Sequence, residues 1–345
     1  MYTLALIGFG TVGQGFAELL IQKKKILKER YGLEFKVSAI ADTLKGSVLD
    51  PKGLDLAAVL AWVGGGKSLN DFPSGKKGLD ALATIRESGA DIVFEATYTD
   101  IKTAEPATGH LKAALNQGCH VVTTNKGPLA LHYRELAELA KQKGRRLMFE
   151  GTVMAGSPVF NLMRASLTGT EITEIKGILN GTTNYILTRM EEGLSYGDAL
   201  KKAQELGYAE AVPDADVLGW DALAKVCILS AVVFGKAVMP DPAKLSCEGI
   251  TKITAEDIKK AKAEGKRYKL IGRAAKEGNE VKVSVGPQAL PLSDPLTGVM
   301  GGTNALTYMN DALNAITVVG PGAGRKETGY AMFNDFINIH LVAGR

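Results

Sequence analysis

The chain has 345 residues, of which 46% are hydrophobic and 23% are charged, and its net charge is +4. A chain of this length can bury two full hydrophobic cores, and its composition is that of an ordinary globular protein. The small, dispersed positive charge argues against a nucleic-acid-binding protein. The three cysteines, Cys119, Cys227 and Cys247, form no CxxC motif, which excludes a zinc finger.

The pattern at the start of the chain and in its apolar runs indicates no targeting or membrane segment. The chain opens directly on the apolar segment MYTLALI, so we expect no signal peptide. The apolar run 217–234 contains two charged side chains and is too short for a membrane-spanning helix. We therefore expect a cytoplasmic protein that binds neither membrane nor nucleic acid.

The first predicted elements form a dinucleotide-binding fingerprint. Residues 3–7 are a short apolar strand, GFGTVG follows at 8–13, and an amphipathic helix comes next. In this motif Gly8 permits a tight turn, Gly10 lets a pyrophosphate approach the backbone, and Gly13 lets helix and strand pack closely. The start of the helix then faces the phosphates. This order of elements predicts a Rossmann-type domain that binds NAD or NADP.

The second predicted strand, FKVSAIAD, ends at Asp42. An acidic residue at this position accepts hydrogen bonds from the ribose 2′-hydroxyl, which favours NAD. A nearly equal alternative makes Asp42 a turn or cap residue. Lys45 and Lys67 could instead meet the 2′-phosphate of NADP, so the sequence leaves the choice of cofactor open.

Three more predicted strands continue a doubly wound sheet, namely ADIVFEAT (90–97), CHVVTTNK (119–126) and RRLMFEGTV (145–153). Ligands bind beyond the carboxyl ends of the strands in such a sheet. Thr97, Asn125 and Lys126 occupy two of these ends, so we predict that they lie at the site. For Lys126 the alternative is an exposed loop lysine, but its position directly after an apolar strand favours the site.

From about residue 170 the pattern changes to an α+β arrangement. A strand leads into a helix at GTTN (181–184), and further strand signals flank a Gly-Asn turn at 278–279. A glycine loop and an amphipathic helix close the chain. The predicted fold class is therefore α/β, with a Rossmann-type doubly wound nucleotide domain plus a second, α+β domain.

The helix predicted at 217–234 carries an isolated pair of opposite charges. Asp221 and Lys225 are its only charged residues, and their i,i+4 spacing puts them on one face. Most such pairs are solvated salt bridges worth about 0.3–0.5 kcal/mol, but this helix has little else to form a wet face. Glu210 and Asp216 precede it in an acidic loop. Because buried charges are costly unless they are paired or used, the pattern predicts a polar pocket where chemistry occurs.

Taken together, these motifs make the chain resemble homoserine dehydrogenases across nearly its whole length. The matching pieces are GFGTVGQG (8–15), HVVTTNKGPLA (120–130), NGTTNYI (180–186), LGYAEA, DAD and GWDALAK (within 206–225), and GPGAG (320–324). The resemblance implies NAD(P)-dependent interconversion of L-homoserine and L-aspartate 4-semialdehyde in threonine, methionine and isoleucine biosynthesis. It also implies a cytoplasmic homodimer or homotetramer of the short form, which lacks an ACT regulatory domain.

The resemblance also assigns roles to single residues. Lys225 matches the catalytic lysine, Lys126 matches the lysine on the cofactor side, and Asp221 would hold Lys225 or bind the substrate. The substrate-binding carboxylates fall on Glu210 and Asp221, with Asp216 nearby. The Lys225 ammonium would stabilise charge on the aldehyde oxygen and donate a proton. Cofactor contacts are expected at Gly10, Thr11, Val12, Thr97 and Gly324, in addition to Gly8, Gly13, Asp42 and Lys126.

The family can also bind a monovalent cation, Na⁺ or K⁺, through backbone oxygens after the domain crossover. The corresponding positions are Glu150, Val153, Ala155 and Ser157. Many members have glycine where this chain has Ser157.

Three regions are expected from the same resemblance. Residues 1–150 with 322–345 would form the NAD(P)-binding domain. Residues 151–170 with 280–321 would form the dimerisation region, and 171–279 would form the substrate and catalytic domain.

Two other functions fit parts of the pattern. Aspartate-semialdehyde dehydrogenase shares the aldehyde and the Rossmann-type domain, but it needs a thiolate nucleophile, and none of the three cysteines has a convincing context for one. A nucleotide-sensing regulator would use the Rossmann domain for binding alone. Such a regulator would not need Glu210, Asp221 and Lys225 in one apolar pocket.

Overall fold

The computed structural model describes residues 1–343, which divide into two compact units. The first unit contains Met1–Gly156 and the end of the chain from Gly324 onward. The second unit contains Ser157–Ala323, so in sequence it is inserted into the first. Among the described residues, no helix is both long and apolar enough to cross a membrane.

The first unit is built on one seven-stranded sheet. Its elements up to the insertion are β1 (Tyr2–Ile7), α1 (Thr11–Gln22), α2 (Lys24–Tyr31), β2 (Phe35–Asp42), β3 (Gly46–Leu49), α3 (Leu56–Gly64), β4 (Lys76–Lys77), α4 (Ala81–Glu87), β5 (Ile92–Glu95), α5 (Ala107–Asn116), β6 (His120–Thr123), α6 (Lys126–Gln142) and β7 (Leu147–Met148). The strand order is β4-β3-β2-β1-β5-β6-β7. The neighbours from β2 to β7 are parallel, whereas β3 and β4 pair antiparallel at the edge.

The turn after β1 has the backbone that the glycine motif predicts. Gly8 has a φ of +92°, and a Cβ atom there would lie 2.4 Å from the carbonyl carbon of Ala96. A Cβ atom at Gly13 would lie 2.3 Å from the carbonyl oxygen of Gly8. Because neither contact is possible for a larger residue, both positions require glycine. The predicted helix follows this turn, but it begins at Thr11, inside the glycine motif, rather than after Gly13.

Several predicted elements differ from the observed ones. The long first helix is broken at Lys23 into α1 and α2. The strand predicted at 119–126 ends at Thr123, and the strand predicted at 145–153 is reduced to β7, followed by a 3₁₀ turn at Glu150–Thr152. Between 44 and 89, where the sequence suggested no elements, the chain forms β3, α3, β4 and α4.

The second unit is built on a six-stranded sheet. Its elements are α7 (Phe160–Ser166), β8 (Ile172–Ile178), α8 (Gly181–Glu191), α9 (Tyr196–Glu205), α10 (Asp214–Val217), α11 (Trp220–Phe234), β9 (Ser246–Cys247), α12 (Ala255–Ala263), β10 (Lys266–Glu277), β11 (Glu280–Pro291), β12 (Thr303–Asn310) and β13 (Asn314–Pro321). The strand order is β13-β12-β8-β10-β11-β9, antiparallel except for the β9–β11 pair. The predicted Gly-Asn turn joins β10 to β11.

Helix α11 is the apolar helix that the sequence predicts, although it begins at Trp220 rather than at 217. Every residue from 222 to 231 is buried, so the helix is embedded on all sides. It packs on β10 and β11, and a Cβ atom at Gly272 would lie 2.5 Å from Val226 Cγ2. Any charge on this helix between these residues is therefore inside the unit.

Helix α13 (Arg325–Ala343) belongs to the first unit. A Cβ atom at Gly329 would lie 2.7 Å from the backbone nitrogen of Phe16, so α13 and α1 pack backbone to backbone. The fully buried Phe336 ring meets the rings of Tyr2 and Phe94 edge-on, with centroids 5.7 and 5.9 Å apart. The predicted fold class, a Rossmann-type doubly wound domain with an α+β domain, is confirmed.

Candidate active site

In the first unit, Asp42 ties the glycine motif to the end of β2. Its Oδ2 atom accepts the N–H of Phe9 at 2.7 Å, and its Oδ1 atom accepts the N–H groups of Leu44 and Lys45 at 3.0 Å each. The Lys45 ammonium lies 3.9 Å from the same carboxylate. Asp42 is therefore a turn residue that also keeps a negative charge at the strand end where this fold reads the ribose.

A cavity of about 370 Å³ opens beside Asp42. Buried inside this region, the Ser47 hydroxyl and His110 Nδ1 have no hydrogen-bond partner among the described residues. Such orphaned polar atoms indicate room for a polar ligand. The polar residues that line the cavity are Asp42, Thr43, Ser47, Asn70, Asp80, Thr97 and His110, and no described lining residue is Lys or Arg.

Glu95 is a site residue that the sequence did not indicate. Its carboxylate is fully buried at the end of β5, where it accepts the N–H of Thr97 at 2.9 Å and also the Thr97 hydroxyl. It also accepts the hydroxyl of Thr123, at the end of β6, at 2.8 Å. One carboxylate thus fixes two strand ends at the edge where ligands bind in this fold.

Lys126 is the first residue of α6, not a strand-end or loop residue. The preceding Asn125 caps this helix by accepting the N–H of Gly127 at 3.3 Å. The Asn125 amide also donates to the carbonyls of Thr97 and Tyr98 at 3.3 and 3.1 Å. The predicted neighbours Thr97 and Lys126 are therefore linked through Asn125, because its amide joins the end of β5 to the start of α6.

The remaining predicted cofactor positions lie at two glycine turns of the first unit. Thr11 and Val12 form the first turn of α1, and Gly10 is its N-cap, so no side chain covers the helix start. At the other turn, Gly324 has a φ of +135°, and a Cβ atom there would lie 2.1 Å from Glu327 Oε2. Gly324 is required at its turn by its positive φ. Gly10 leaves the N–H groups at the start of α1 uncapped by a side chain, which fits binding of a pyrophosphate.

In the second unit, Lys225 and Asp221 form a buried ion pair. The Lys225 ammonium lies 2.8 Å from Asp221 Oδ2 and donates to the carbonyl of Leu179, at the end of β8, at 2.7 Å. The Lys225 side chain is only 8% exposed. The pair is therefore not the solvated surface salt bridge that most i,i+4 pairs form.

Asn180 joins this pair to a second carboxylate. Its side-chain nitrogen donates to Asp216 Oδ1 at 2.6 Å and to Asp221 Oδ2 at 3.0 Å. Burial raises the pKa of Asp216, and the negative charge of Asp221 adds to this, whereas the bond from Asn180 opposes it. Asn180, Asp216, Asp221 and Lys225 are called the polar cluster below.

The structure does not bring Glu210 into the polar cluster. Glu210 is exposed, and among the described residues its carboxylate has no hydrogen bond or ion pair. Its backbone carbonyl accepts the side-chain nitrogen of Gln204 at 3.1 Å. Of the predicted substrate-binding carboxylates, the cluster thus contains Asp216 and Asp221.

A second buried lysine, Lys269 on β10, escaped the sequence analysis. It is 1% exposed, and its ammonium donates to Asn184 Oδ1 at 2.9 Å and to the carbonyl of Val299. Burial lowers the pKa of Lys269 to about 8, with Arg267 acting in the same direction and Glu191 opposing it. Because Asn184 lies on α8, this lysine helps to hold the helix that Asn180 caps.

The predicted cation positions follow the short strand β7. Glu150 and Val153 are buried, and Ala155 has a φ of +46°. In the second unit, the Ser157 hydroxyl donates to the carbonyl of Pro321 at 3.1 Å. A Na⁺ or K⁺ site at these backbone oxygens stays a prediction.

The cysteines offer no activated thiol. Burial raises the pKa of Cys119 to about 11 and that of Cys227 to about 12, and it also raises the pKa of Cys247. A catalytic thiolate needs a lowered pKa. The geometry therefore argues against the thiol chemistry of an aspartate-semialdehyde dehydrogenase.

Comparisons with known proteins agree along the whole chain. The model of the homoserine dehydrogenase NAD-binding domain matches residues 8–150, and that of homoserine dehydrogenase matches residues 158–337. The chain is 42% identical to an NAD(+)-dependent homoserine dehydrogenase of Pseudomonas canavaninivorans, covering 100% of this chain and 97% of the relative.

Solved structures show the same similarity. A putative homoserine dehydrogenase from Archaeoglobus fulgidus superimposes with a TM-score of 0.87 at 37% identity, covering 99% of both chains. A hyperthermophilic archaeal homoserine dehydrogenase in complex with NADPH superimposes with a TM-score of 0.82 at 30% identity, covering 99% of this chain and 98% of the other.

Proposed function

Since the chain belongs to the homoserine dehydrogenase family and interconverts L-homoserine and L-aspartate 4-semialdehyde with NAD(P), we propose that its polar cluster performs the proton transfer and binds the amino acid. NAD(P)H supplies the hydride that reduces the aldehyde carbon. Negative charge then develops on the aldehyde oxygen, which needs a proton. The observation that carries the proposal is the buried ion pair of Lys225 and Asp221 on α11.

In this proposal Lys225 donates the proton to the aldehyde oxygen and stabilises its charge. An ammonium does this best where water is excluded, and the side chain is surrounded by the buried residues of α11. The Leu179 carbonyl and Asp221 Oδ2 fix the direction of the ammonium. In the reverse reaction the same lysine, once neutral, accepts the hydroxyl proton of homoserine.

The α-ammonium of the substrate needs an anionic partner, and we assign this to Asp216 together with Glu210. Asp216 is supported by its place in the cluster, where the Asn180 amide donates to it at 2.6 Å and the Thr182 side chain also hydrogen-bonds to it. Glu210 is supported by the family motif alone, from an exposed loop. Lys126 keeps its proposed role on the cofactor side, at the start of α6.

We further propose that the enzyme prefers NAD to NADP. The cavity beside Asp42 is lined by two aspartates and by no described lysine or arginine, so a 2′-phosphate would meet like charge. Each of the two lysines that could have met a phosphate has another partner. Lys45 lies 3.9 Å from Asp42, and the Lys67 ammonium lies 4.2 Å from the centre of the Trp62 ring.

A homodimer or homotetramer in the cytoplasm is proposed as the working form, with 151–170 and 280–321 as the dimerisation region. The support is the edge strand β13, where Val319 is 55% exposed on an unpaired strand edge of the sheet. Exposed edges of this kind are usually covered. Light scattering after gel filtration would measure the oligomer, and a monomer at micromolar concentration would contradict the proposal.

The role of Lys225 is tested by Lys225→Ala. We expect homoserine oxidation to fall by about a hundredfold or more, which is the scale of general acid–base catalysis, while NADH binding is kept. The matched control is Lys252→Ala, which removes an exposed i,i+4 pair with Glu248. Near-normal turnover of Lys225→Ala would show that another group transfers the proton.

A further inference from the structure

Side chains hold both backbone groups of Phe9, the residue between the first two glycines of the glycine motif. Asp42 Oδ2 accepts the N–H of Phe9 at 2.7 Å, and the side-chain nitrogen of Gln14 donates to its carbonyl at 2.9 Å. Gln14 is the fourth residue of α1. The turn that lets a pyrophosphate approach the backbone is therefore held from the end of β2 and from α1.

The Gln14 carboxamide has a fixed direction because Arg325 binds its oxygen. Arg325 Nη2 donates to Gln14 Oε1 at 3.3 Å, while the nitrogen of the same amide faces the Phe9 carbonyl. A reversed amide would turn its nitrogen toward the guanidinium, which has only donors, and its oxygen toward the carbonyl oxygen. Arg325 thus favours the orientation in which Gln14 donates to Phe9.

Glu18, one turn further along α1, holds the guanidinium beside Gln14. Its carboxylate accepts Arg325 Nη2 at 2.6 Å and Nε at 3.3 Å. The Arg325 and Glu18 side chains are 41% and 39% exposed, and an ion pair this exposed adds little to the stability of a fold. The contact therefore matters for the direction of the guanidinium more than for the free energy of unfolding.

Backbone packing brings Arg325 to this position. It is the first residue of α13 and follows Gly324, a predicted cofactor position. A Cβ atom at Gly15 would lie 2.3 Å from the carbonyl oxygen of Arg325, so the start of α13 contacts α1 directly. A cation at the start of a helix is unfavourable, because that end of the helix dipole is positive. The stability of α13 therefore does not explain an arginine here.

We propose that Arg325 is a positioning residue for the cofactor, acting through Gln14 on the turn at Phe9 and Gly10. Arg325 directs the Gln14 amide, and this amide holds the Phe9 carbonyl, so the turn has its shape before the pyrophosphate of NAD(P) binds. A turn formed in advance loses less conformational entropy on binding, which strengthens binding. The proposal rests on cofactor binding at the glycine motif and does not depend on the role of Lys225.

The first test is Arg325→Met, which keeps an unbranched stem and removes the guanidinium. We expect the dissociation constant of NADH, measured by fluorescence titration, to rise about fivefold, the effect of about one hydrogen bond. The KM for L-homoserine at saturating cofactor should stay the same. The matched control is Arg134→Met, which removes an exposed i,i+4 pair with Glu138 and should leave the dissociation constant unchanged.

The melting temperatures of Arg325→Met and Arg134→Met without cofactor should both stay close to that of the wild type, because both ion pairs are exposed. An unchanged dissociation constant in Arg325→Met would overturn the proposal. A clear fall in the melting temperature of Arg325→Met alone would also overturn it, because the residue would then act on the fold as a whole.

A double-mutant cycle separates positioning from a direct contact of Arg325 with phosphate. Gln14→Met should raise the dissociation constant of NADH by about the same factor as Arg325→Met. If Arg325 acts through Gln14, the double variant should bind NADH no more weakly than the weaker single variant. Independent effects would instead multiply, to about 25-fold, and that result would overturn the proposal.

Glu18→Gln gives a test in which the two explanations predict opposite signs. If Glu18 directs the guanidinium toward Gln14, the dissociation constant of NADH should rise about twofold, the scale of an exposed ion pair. If Glu18 instead restrained an arginine that contacts the phosphates, removing its charge would strengthen binding. A dissociation constant at or below that of the wild type would therefore overturn the proposal.

Discussion

Asp221 and Lys225 lie one turn apart on α11, with 2.8 Å between Asp221 Oδ2 and the Lys225 ammonium, where residues 222–231 of the helix are all buried. The same Oδ2 atom accepts the Asn180 amide at 3.0 Å. Two donors from two different elements thus converge on one carboxylate oxygen. This arrangement makes Asp221 the residue that sets the direction of Lys225.

Asp221→Asn should therefore act mainly on the chemical step. The variant keeps the shape of the side chain but removes the charge that holds the ammonium. We expect kcat to fall about ten- to a hundredfold, within the range of acid–base effects, with a smaller change in the KM for homoserine. Steady-state kinetics in both directions measures this. A large rise in KM at unchanged kcat would instead make Asp221 a direct substrate ligand.

The dependence of substrate binding on pH should report Asp216. Burial raises its pKa, so this carboxylate takes up a proton at a higher pH than an exposed aspartate does. The protonated form cannot bind an ammonium, and kcat/KM for homoserine should fall as the pH drops through that raised pKa. Asp216→Asn should have a low kcat/KM for homoserine at all pH values, and its kcat/KM should no longer fall at acidic pH. If kcat/KM of the variant still fell at the same acidic pH, the fall would belong to another titrating group.

The cofactor preference should depend on the charge of Asp42. Asp42→Asn keeps one of the two oxygens that accept the neighbouring backbone N–H groups, and it removes the charge that opposes a 2′-phosphate. We expect the ratio of kcat/KM for NAD to that for NADP to fall about tenfold, since one charge contact of this kind changes binding by about 1.4 kcal/mol. Asp50→Asn is the control, because Asp50 accepts the N–H of Lys52 in a similar turn outside the cavity. A wild-type enzyme that prefers NADP would refute the preference.

Glu95→Gln should weaken cofactor binding without touching the substrate. The carboxylate accepts three hydrogen bonds from Thr97 and Thr123, whereas an amide offers one acceptor and a nitrogen that faces donors. We expect the NADH dissociation constant to rise about tenfold, the effect of one or two lost bonds of about 1 kcal/mol each. Glu87→Gln, in an exposed pair with Lys76, is the control. Fluorescence titration measures the NADH dissociation constant. Equal dissociation constants in the wild type, Glu95→Gln and Glu87→Gln would refute a role of Glu95 in cofactor binding.

Lys269 should make the free energy of unfolding depend on pH in the alkaline range. Its pKa is lowered from 10.5 to about 8, so between these values the folded protein binds fewer protons than the unfolded chain. This lysine therefore destabilises the fold below pH 8, and the free energy of unfolding should rise with pH across the window, by on the order of 3 kcal/mol at most. Urea unfolding at several pH values would show the rise in the wild type and its absence in Lys269→Met. If the free energy of unfolding rose equally with pH in the wild type and in Lys269→Met, the rise would not come from Lys269.

Local signals carried the predictions that succeeded. The glycine motif predicted the turn at Gly8 and the presence of a helix after it, because spacing alone encodes a strand, a turn and a helix. The charges of Asp221 and Lys225 stood out because four residues separate them in an apolar run. In both cases the partners are close in sequence.

The residues that escaped prediction have partners far away in the chain. Asn180 meets Asp216 and Asp221 across 36 and 41 residues. Lys269 meets Asn184 across 85 residues. In sequence these residues look like ordinary polar positions, and only the pairing of β8 with β10 and β12 brings them together.

Helix α13 has a consequence for how the protein is made. Its buried side chains, including Met332 and Phe336, complete the hydrophobic core that β1 and α1 begin. A ribosome delivers the chain from its N-terminus, so the nucleotide-binding core must wait for the last helix while the inserted second unit can already fold. During synthesis the apolar face of α1 is therefore left uncovered for most of the translation time, and chaperone capture at that stage should be greatest on the first unit.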